Sequence, residues 1–103
     1  STGIAVSALQ YFISIIGQFS STIPGLQIDG IFGPKTREAV EAAQTRFGLA
    51  VTGVVDRDTW QRLYDEYLGI SRTALAGANL PTSSQEIQNA VTAGQFPGYS
   101  LTY

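Results

Sequence analysis

The stretch LQIDGIFGPKT, Leu26 to Thr36, returns in weaker form as LAVTGVVDRDT, Leu49 to Thr59. Leu26 matches Leu49, Ile28 matches Val51, Gly30 matches Gly53, Ile31-Phe32 matches Val54-Val55, and Thr36 matches Thr59. The copies stand 23 residues apart in the numbering, a spacing in the range of a small helical repeat unit. Each copy reads the same way. Two apolar residues flank a polar one, as in a short extended segment. Asp29-Gly30 is a strong turn signal and Thr52-Gly53 a weaker one, with glycine able to take positive φ. An apolar pair then enters a core, and a helix begins.

The helix starts are well marked. In the first copy Pro34 falls at N1 with Gly33 as the cap. In the second, Asp56 is a good N-cap and Asp58 supports the first turn. The first helix, about Pro34 to Phe47, places Ala39, Val40, Ala43 and Phe47 on one face, with Gly48 suited to its C-terminal stop. The second, about Arg57 to Leu68, places Trp60, Leu63, Tyr64 and Tyr67 together, with Gly69 beyond. A further helix precedes both, from Ile4 or Ala5 to a point between Gly17 and Ser21. Its stripe of Val6, Leu9, Ile13 and Ile16 is widened by Ala5, Phe12 and Phe19. So broad an apolar face predicts a helix contacted from two sides. The expected fold is all-α: a three-helix closed bundle built from a leading helix and two turn-plus-helix repeats.

The helical domain is expected over 1–69, with 70–103 as a linker leading toward a next repeat. Within it, Ser83 and Glu86 have the spacing of a capping box, which predicts a short helix to about Ala93. Phe96-Pro97-Gly98-Tyr99 reads as a turn.

Composition removes several function classes. The 103 residues suit one domain, and 44% hydrophobic residues are ample for a core. Six basic residues against eight acidic ones, for a net charge of -2, argue against a phosphate-backbone binder, so no nucleic acid is expected. The chain has no cysteine and no histidine. That excludes disulfides and every histidine-based nucleophile or acid–base pair, and with them the usual zinc ligands; no metal and no cofactor are expected. The apolar run Ile4 to Ile16 is too short to span a bilayer and is broken by Ser7, Gln10 and Ser14, so no membrane insertion is expected. It lacks a basic leader and a cleavage site. The signal peptide of a secreted parent would lie outside this chain.

Taken together, Val6, Leu9-Gln10, Asp29-Gly30-Ile31-Phe32-Gly33, Thr36, Ala39-Val40, Gln44, Gly48-Leu49, Gly53, Val55, Thr59-Trp60 and Leu63 resemble the peptidoglycan-binding domain family of bacterial cell-wall hydrolases. The resemblance runs from about Ile4 to Leu68 and is specific as a set, not in any one piece. It implies a three-helix fold of two turn-plus-helix repeats. It also implies non-catalytic binding of peptidoglycan, through its glycan or its stem peptide, and a place in the cell wall, outside the cell or on a spore. Phe96 to Tyr103 resembles the Pro-Gly-Tyr segment that precedes the next repeat in tandem members. The expected covalent neighbours are therefore further repeats or a catalytic domain. Three positions depart from the family pattern: Ala43 where an aromatic is usual, Thr52 where Asp is, and Asp56 where Gly is.

The candidate ligand-binding residues each carry two readings. Asp29, Gly30, Phe32 and Gly33 could line a groove, or could build a structural turn. The spaced oxygen ligands of a calcium loop are missing there. Gln10 and Gln44 could hydrogen-bond a stem peptide or an N-acetyl group, or satisfy loop backbone. Tyr64 could stack on a sugar, and Tyr11 and Tyr67 share its expected partial exposure, while Trp60 reads as core. The carboxylates sit at helix starts or on outer faces with no hydrolase motif around any pair, so the chain is expected not to be an enzyme. The alternative is a structural or protein-interaction repeat that keeps the fold without binding glycan.

Overall fold

Three helices form in the order expected: α1 (Ile4–Gln18), α2 (Pro34–Phe47) and α3 (Arg57–Thr73). The computed structural model describes residues 1–23, 25–73, 85, 87, 89, 90 and 96–103. α1 is the central helix and packs on both α2 and α3. Its broad apolar face explains this. Val6, Ala8, Leu9, Phe12, Ile13 and Ile15 are all fully buried. A helix that is apolar nearly all round needs cover on every side.

The α1–α3 seam is aromatic. Phe12 is its hub, with Trp60 at 5.4 Å and Tyr64 at 5.9 Å edge-on, and Tyr67 tilted at 5.2 Å. Such edge-to-face pairs add to the gain from burial alone. Trp60 is buried, as its helical spacing predicts. Tyr11 differs from expectation: it is buried, its ring set against Tyr67 at 6.1 Å. Its position beside Phe12 on the central helix leaves it no solvent face.

The helix boundaries follow local chemistry. Gly33, in extended conformation, precedes Pro34, and Gly48 ends α2 in the left-handed region. Asp56 Oδ1 accepts the Thr59 N–H at 2.9 Å and caps α3. α3 runs past Gly69 to Thr73. A mid-helix glycine costs about 1 kcal/mol, and here Tyr67 and Ile70 pack against the core on either side of it.

Beyond α3 the expected capping box at Ser83 and Glu86 lies outside the described residues. Gln85, Ile87, Asn89 and Ala90 are helical. Gln85 Nε2 donates to Asn89 Oδ1 one turn on, at 2.9 Å. Phe96 meets Trp60 at 6.2 Å, and Leu101 is fully buried. Two isolated antiparallel bridges join distant parts of the chain: Thr2 with Ile31, and Val55 with Leu101.

Candidate ligand groove at the first turn

Each repeated phrase is held by one buried glutamine. Gln10, on α1, accepts the N–H groups of Asp29 and Gly30 at its Oε1, at 3.0 and 2.9 Å. Its Nε2 reaches Asp29 Oδ1 at 2.8 Å, Ile31 O at 3.1 Å and Thr36 Oγ1 at 3.1 Å. Gln44, on α2, repeats the pattern on the second phrase. Its Oε1 accepts Thr52 N–H and Gly53 N–H, both at 3.0 Å. Its Nε2 reaches Thr52 Oγ1, Val54 O and Thr59 Oγ1 at 3.0–3.2 Å.

The side chain of the turn's first residue closes the loop on itself. Asp29 Oδ1 accepts the Ile31 N–H at 3.0 Å, and Thr52 Oγ1 accepts the Val54 N–H at 3.1 Å. Thr52 thus does with a hydroxyl what Asp29 does with a carboxylate, without the charge. In the first turn the Ile31 N–H, then the Gln10 amide, holds the Asp29 carboxyl below the usual carboxylate range.

The turns need glycine at their second position. Gly30 has φ +74° and Gly53 φ +73°, where an L side chain is strained. A Cβ on Gly30 would also lie 3.0 Å from Ser7 Oγ, and one on Gly53 2.9 Å from Arg37 Nε.

The turns differ in what lies beside them. Nineteen residues separate Gln10 from Asp29, but eight separate Gln44 from Thr52. The longer first connection folds out and makes a wall. Buried Ile23 anchors it, and Ser14 Oγ on α1 donates to Leu26 O at 3.0 Å. Between this wall and the start of α2 lies an open groove of about 710 Å³. Gly25, Leu26 and Gln27 form the outer side. Asp29 and Ile31 contribute from the turn, with Gln10 behind them, and Gly33 to Thr36 form the far side. Ile31 is 57% exposed, a large apolar side chain left open in the groove.

Of the residues singled out from sequence, Asp29, Gly33 and Gln10 line this groove. Gly30 shapes the turn beside it. Phe32 is buried in the core, and Gln10 and Gln44 are almost completely enclosed. Gln44 lies at the other turn, and Tyr64 on the α1–α3 seam, so the groove does not bring them to Asp29. Gln27 and Lys35 were not anticipated. Lys35 had a signal: a cation in the first turn of a helix opposes the helix dipole, and α2 has no acidic residue there and no side-chain cap.

The fold and groove define a small all-α binding module built from two glutamine-locked turns. The chain belongs to the family described as "Putative peptidoglycan binding domain", whose model matches residues 2–63. It is similar to the zinc D-Ala-D-Ala carboxypeptidase of Streptomyces albus G, with 41% identity over 64 residues, 62% of this chain and 24% of that protein. An uncharacterized protein in the bpoA1 3′ region of Kitasatospora aureofaciens is 42% identical over 62 residues, 60% of this chain and 49% of that protein. The "Putative OxPP cycle protein OpcA" of Synechococcus elongatus is 41% identical over 46 residues, 45% of this chain and 10% of that protein. The chain thus spans from a tenth to about half of these relatives. No solved structure matches it significantly. Among the described residues no helix is long and apolar enough to cross a membrane.

Proposed function

We propose that this domain binds bacterial peptidoglycan without acting on it chemically, and so holds an attached enzyme or wall factor at the cell wall, outside the cell. The observation that carries the reading is the groove at the first turn, in a chain of this family. The relative named as a D-Ala-D-Ala carboxypeptidase supports it, since that name places a related segment beside an activity on D-Ala-D-Ala.

The groove's chemistry suits a stem peptide. Lys35 and the first-turn N–H groups of α2, which no side chain caps, offer positive potential to a carboxylate or acyl oxygen. Asp29 and Gln27 offer acceptors to amide N–H groups. Leu26, Ile31 and Pro34 give apolar contact for short side chains such as alanine methyls. Gln10, Gly30 and Phe32 would serve by holding the turn in shape, and Gln44 by holding its counterpart. The chain has no histidine or cysteine to serve as base or nucleophile. A single shallow groove predicts weak binding, and tandem copies would gain by effective concentration.

The test is sedimentation with purified insoluble peptidoglycan. Wild type should pellet with the wall, and an Ile31→Asp, Lys35→Glu double variant, folded by circular dichroism, should stay in solution. If folded wild type also stays in solution, even as a tandem dimer, the wall-binding reading fails and the structural or protein-interaction reading replaces it.

A further inference from the structure

We propose that the backbone edge at Val55 is a strand-accepting site, and that a second copy of this chain can fill it with its own Leu101–Tyr103 segment. Val55 N–H donates to Leu101 O at 2.9 Å, and Leu101 N–H returns the bond to Val55 O at 3.0 Å. Both residues are fully buried. The second turn therefore offers two backbone bonds and a socket for one leucine.

The first turn shows that this need is general to the repeat. Phe32, the counterpart of Val55, donates its N–H to Ser1 O at 3.0 Å, and Thr2 bridges Ile31 beside it. Neither turn pairs its edge with a neighbour in sequence. Each recruits an extended segment from far along the chain, because a buried N–H without an acceptor is costly. The two recruited segments also meet, with Thr102 N–H on Ser1 Oγ at 3.1 Å.

The recruited segment is anchored at buried Leu101, by the Phe96 ring against Trp60 and by the bonds between Thr102 and Ser1. On either side of Leu101, Tyr99 and Tyr103 are 56% and 65% exposed. Such a segment is recognised by main-chain pairing and one anchoring side chain, the logic of strand addition. The acceptor meets the same chemistry whether the leucine comes from its own chain or from a copy. Twenty-two residues lie between Thr73 and Phe96. Ile87 and Ala90 among them pack against the core, so exchange requires that contact to release, and effective concentration decides which segment sits there.

The experiment uses the full chain carrying Leu101→Ala, which weakens the resident segment and leaves the socket intact. A synthetic peptide of residues 96–103 is added up to millimolar concentration, and thermal unfolding is followed. The peptide should raise the variant's Tm by several degrees in a saturable way, and a peptide with Leu101→Ala should not. Wild type refolded at high concentration should contain a dimer that the Leu101→Ala chain does not form. The proposal is overturned by a Tm unmoved by the leucine peptide, by equal effects of the two peptides, or by a wild type that stays monomeric at every concentration. If the alanine variant does not fold alone, Leu101→Val takes its place under the same outcomes.

Discussion

Gln10 and Gln44 hold equivalent places on successive helices, and each side-chain oxygen receives two consecutive backbone N–H groups from the turn that follows. This relationship makes the repeated phrase a structural unit. Leucine at either position would remove the partner of two N–H groups, while the Ile31 and Val54 carbonyls keep the Thr36 and Thr52 hydroxyls. Each buried polar group left unpaired costs about 1–3 kcal/mol. Gln44→Leu should therefore lose about 2–4 kcal/mol in urea denaturation, and Gln10→Leu a similar amount. A loss below about 1 kcal/mol for both would show that water replaces the amide.

The two turn glycines should differ in tolerance. Alanine pays for the left-handed backbone at both, about 1–2 kcal/mol. At Gly53 the crowding atoms belong to the long side chain of Arg37, which can swing away. At Gly30 they are Ser7 Oγ and the Gly3 carbonyl, which cannot move as freely. Gly30→Ala should be the more destabilising of the two in thermal melts, and the reverse order would contradict the packing described.

Asp29 should make stability pH-dependent at the acid end. Its folded pKa lies below the ordinary value of 3.8 because the Ile31 N–H and the Gln10 amide favour the carboxylate. The stability this confers is present above pH 3.8 and is lost as pH falls through the lower folded value. Asp29→Asn keeps an acceptor for both bonds without the charge. Urea titrations between pH 7 and pH 2 should show a smaller acid loss in the variant than in wild type.

Trp60 should be sensitive to volume more than to its polar atom. Its Nε1 is buried without a hydrogen-bond partner among the described residues. Trp60→Ala should cost about 3–5 kcal/mol. Trp60→Phe leaves a ring against Phe12 and removes an unpaired donor, so it should cost about 1–2 kcal/mol. Equal losses for the two variants would mean that the indole N–H is satisfied after all.

Lys35 separates binding from stability. Replacing it with glutamate puts a negative charge in the first turn of α2, which favours the helix by about 0.3–1 kcal/mol. Lys35→Glu should thus melt at the wild-type temperature or slightly above it, while its sedimentation with peptidoglycan falls. Retained binding would remove Lys35 from the groove's working residues.

Local chemistry alone determined much of this protein. Two apolar–turn–apolar phrases, a proline at N1, an aspartate cap and glycines at the stops set the three helices, because caps and turns act within a few residues. The helical spacing of Trp60 with Leu63 and Tyr64 likewise placed it in the core. The tertiary structure alone decided what the glutamines do. An amide offers the same donors and acceptor to a ligand as to a loop, and only the approach of α1 to Asp29 and of α2 to Thr52 shows that the loop takes them. It also decided that Tyr11 is buried, that α3 passes Gly69, and that Leu101 pairs with Val55, since each depends on partners distant in sequence. The groove itself belongs to this second class: it exists because a long connection pinned at Ile23 and Ser14 stands opposite the start of α2, a distance no local pattern encodes.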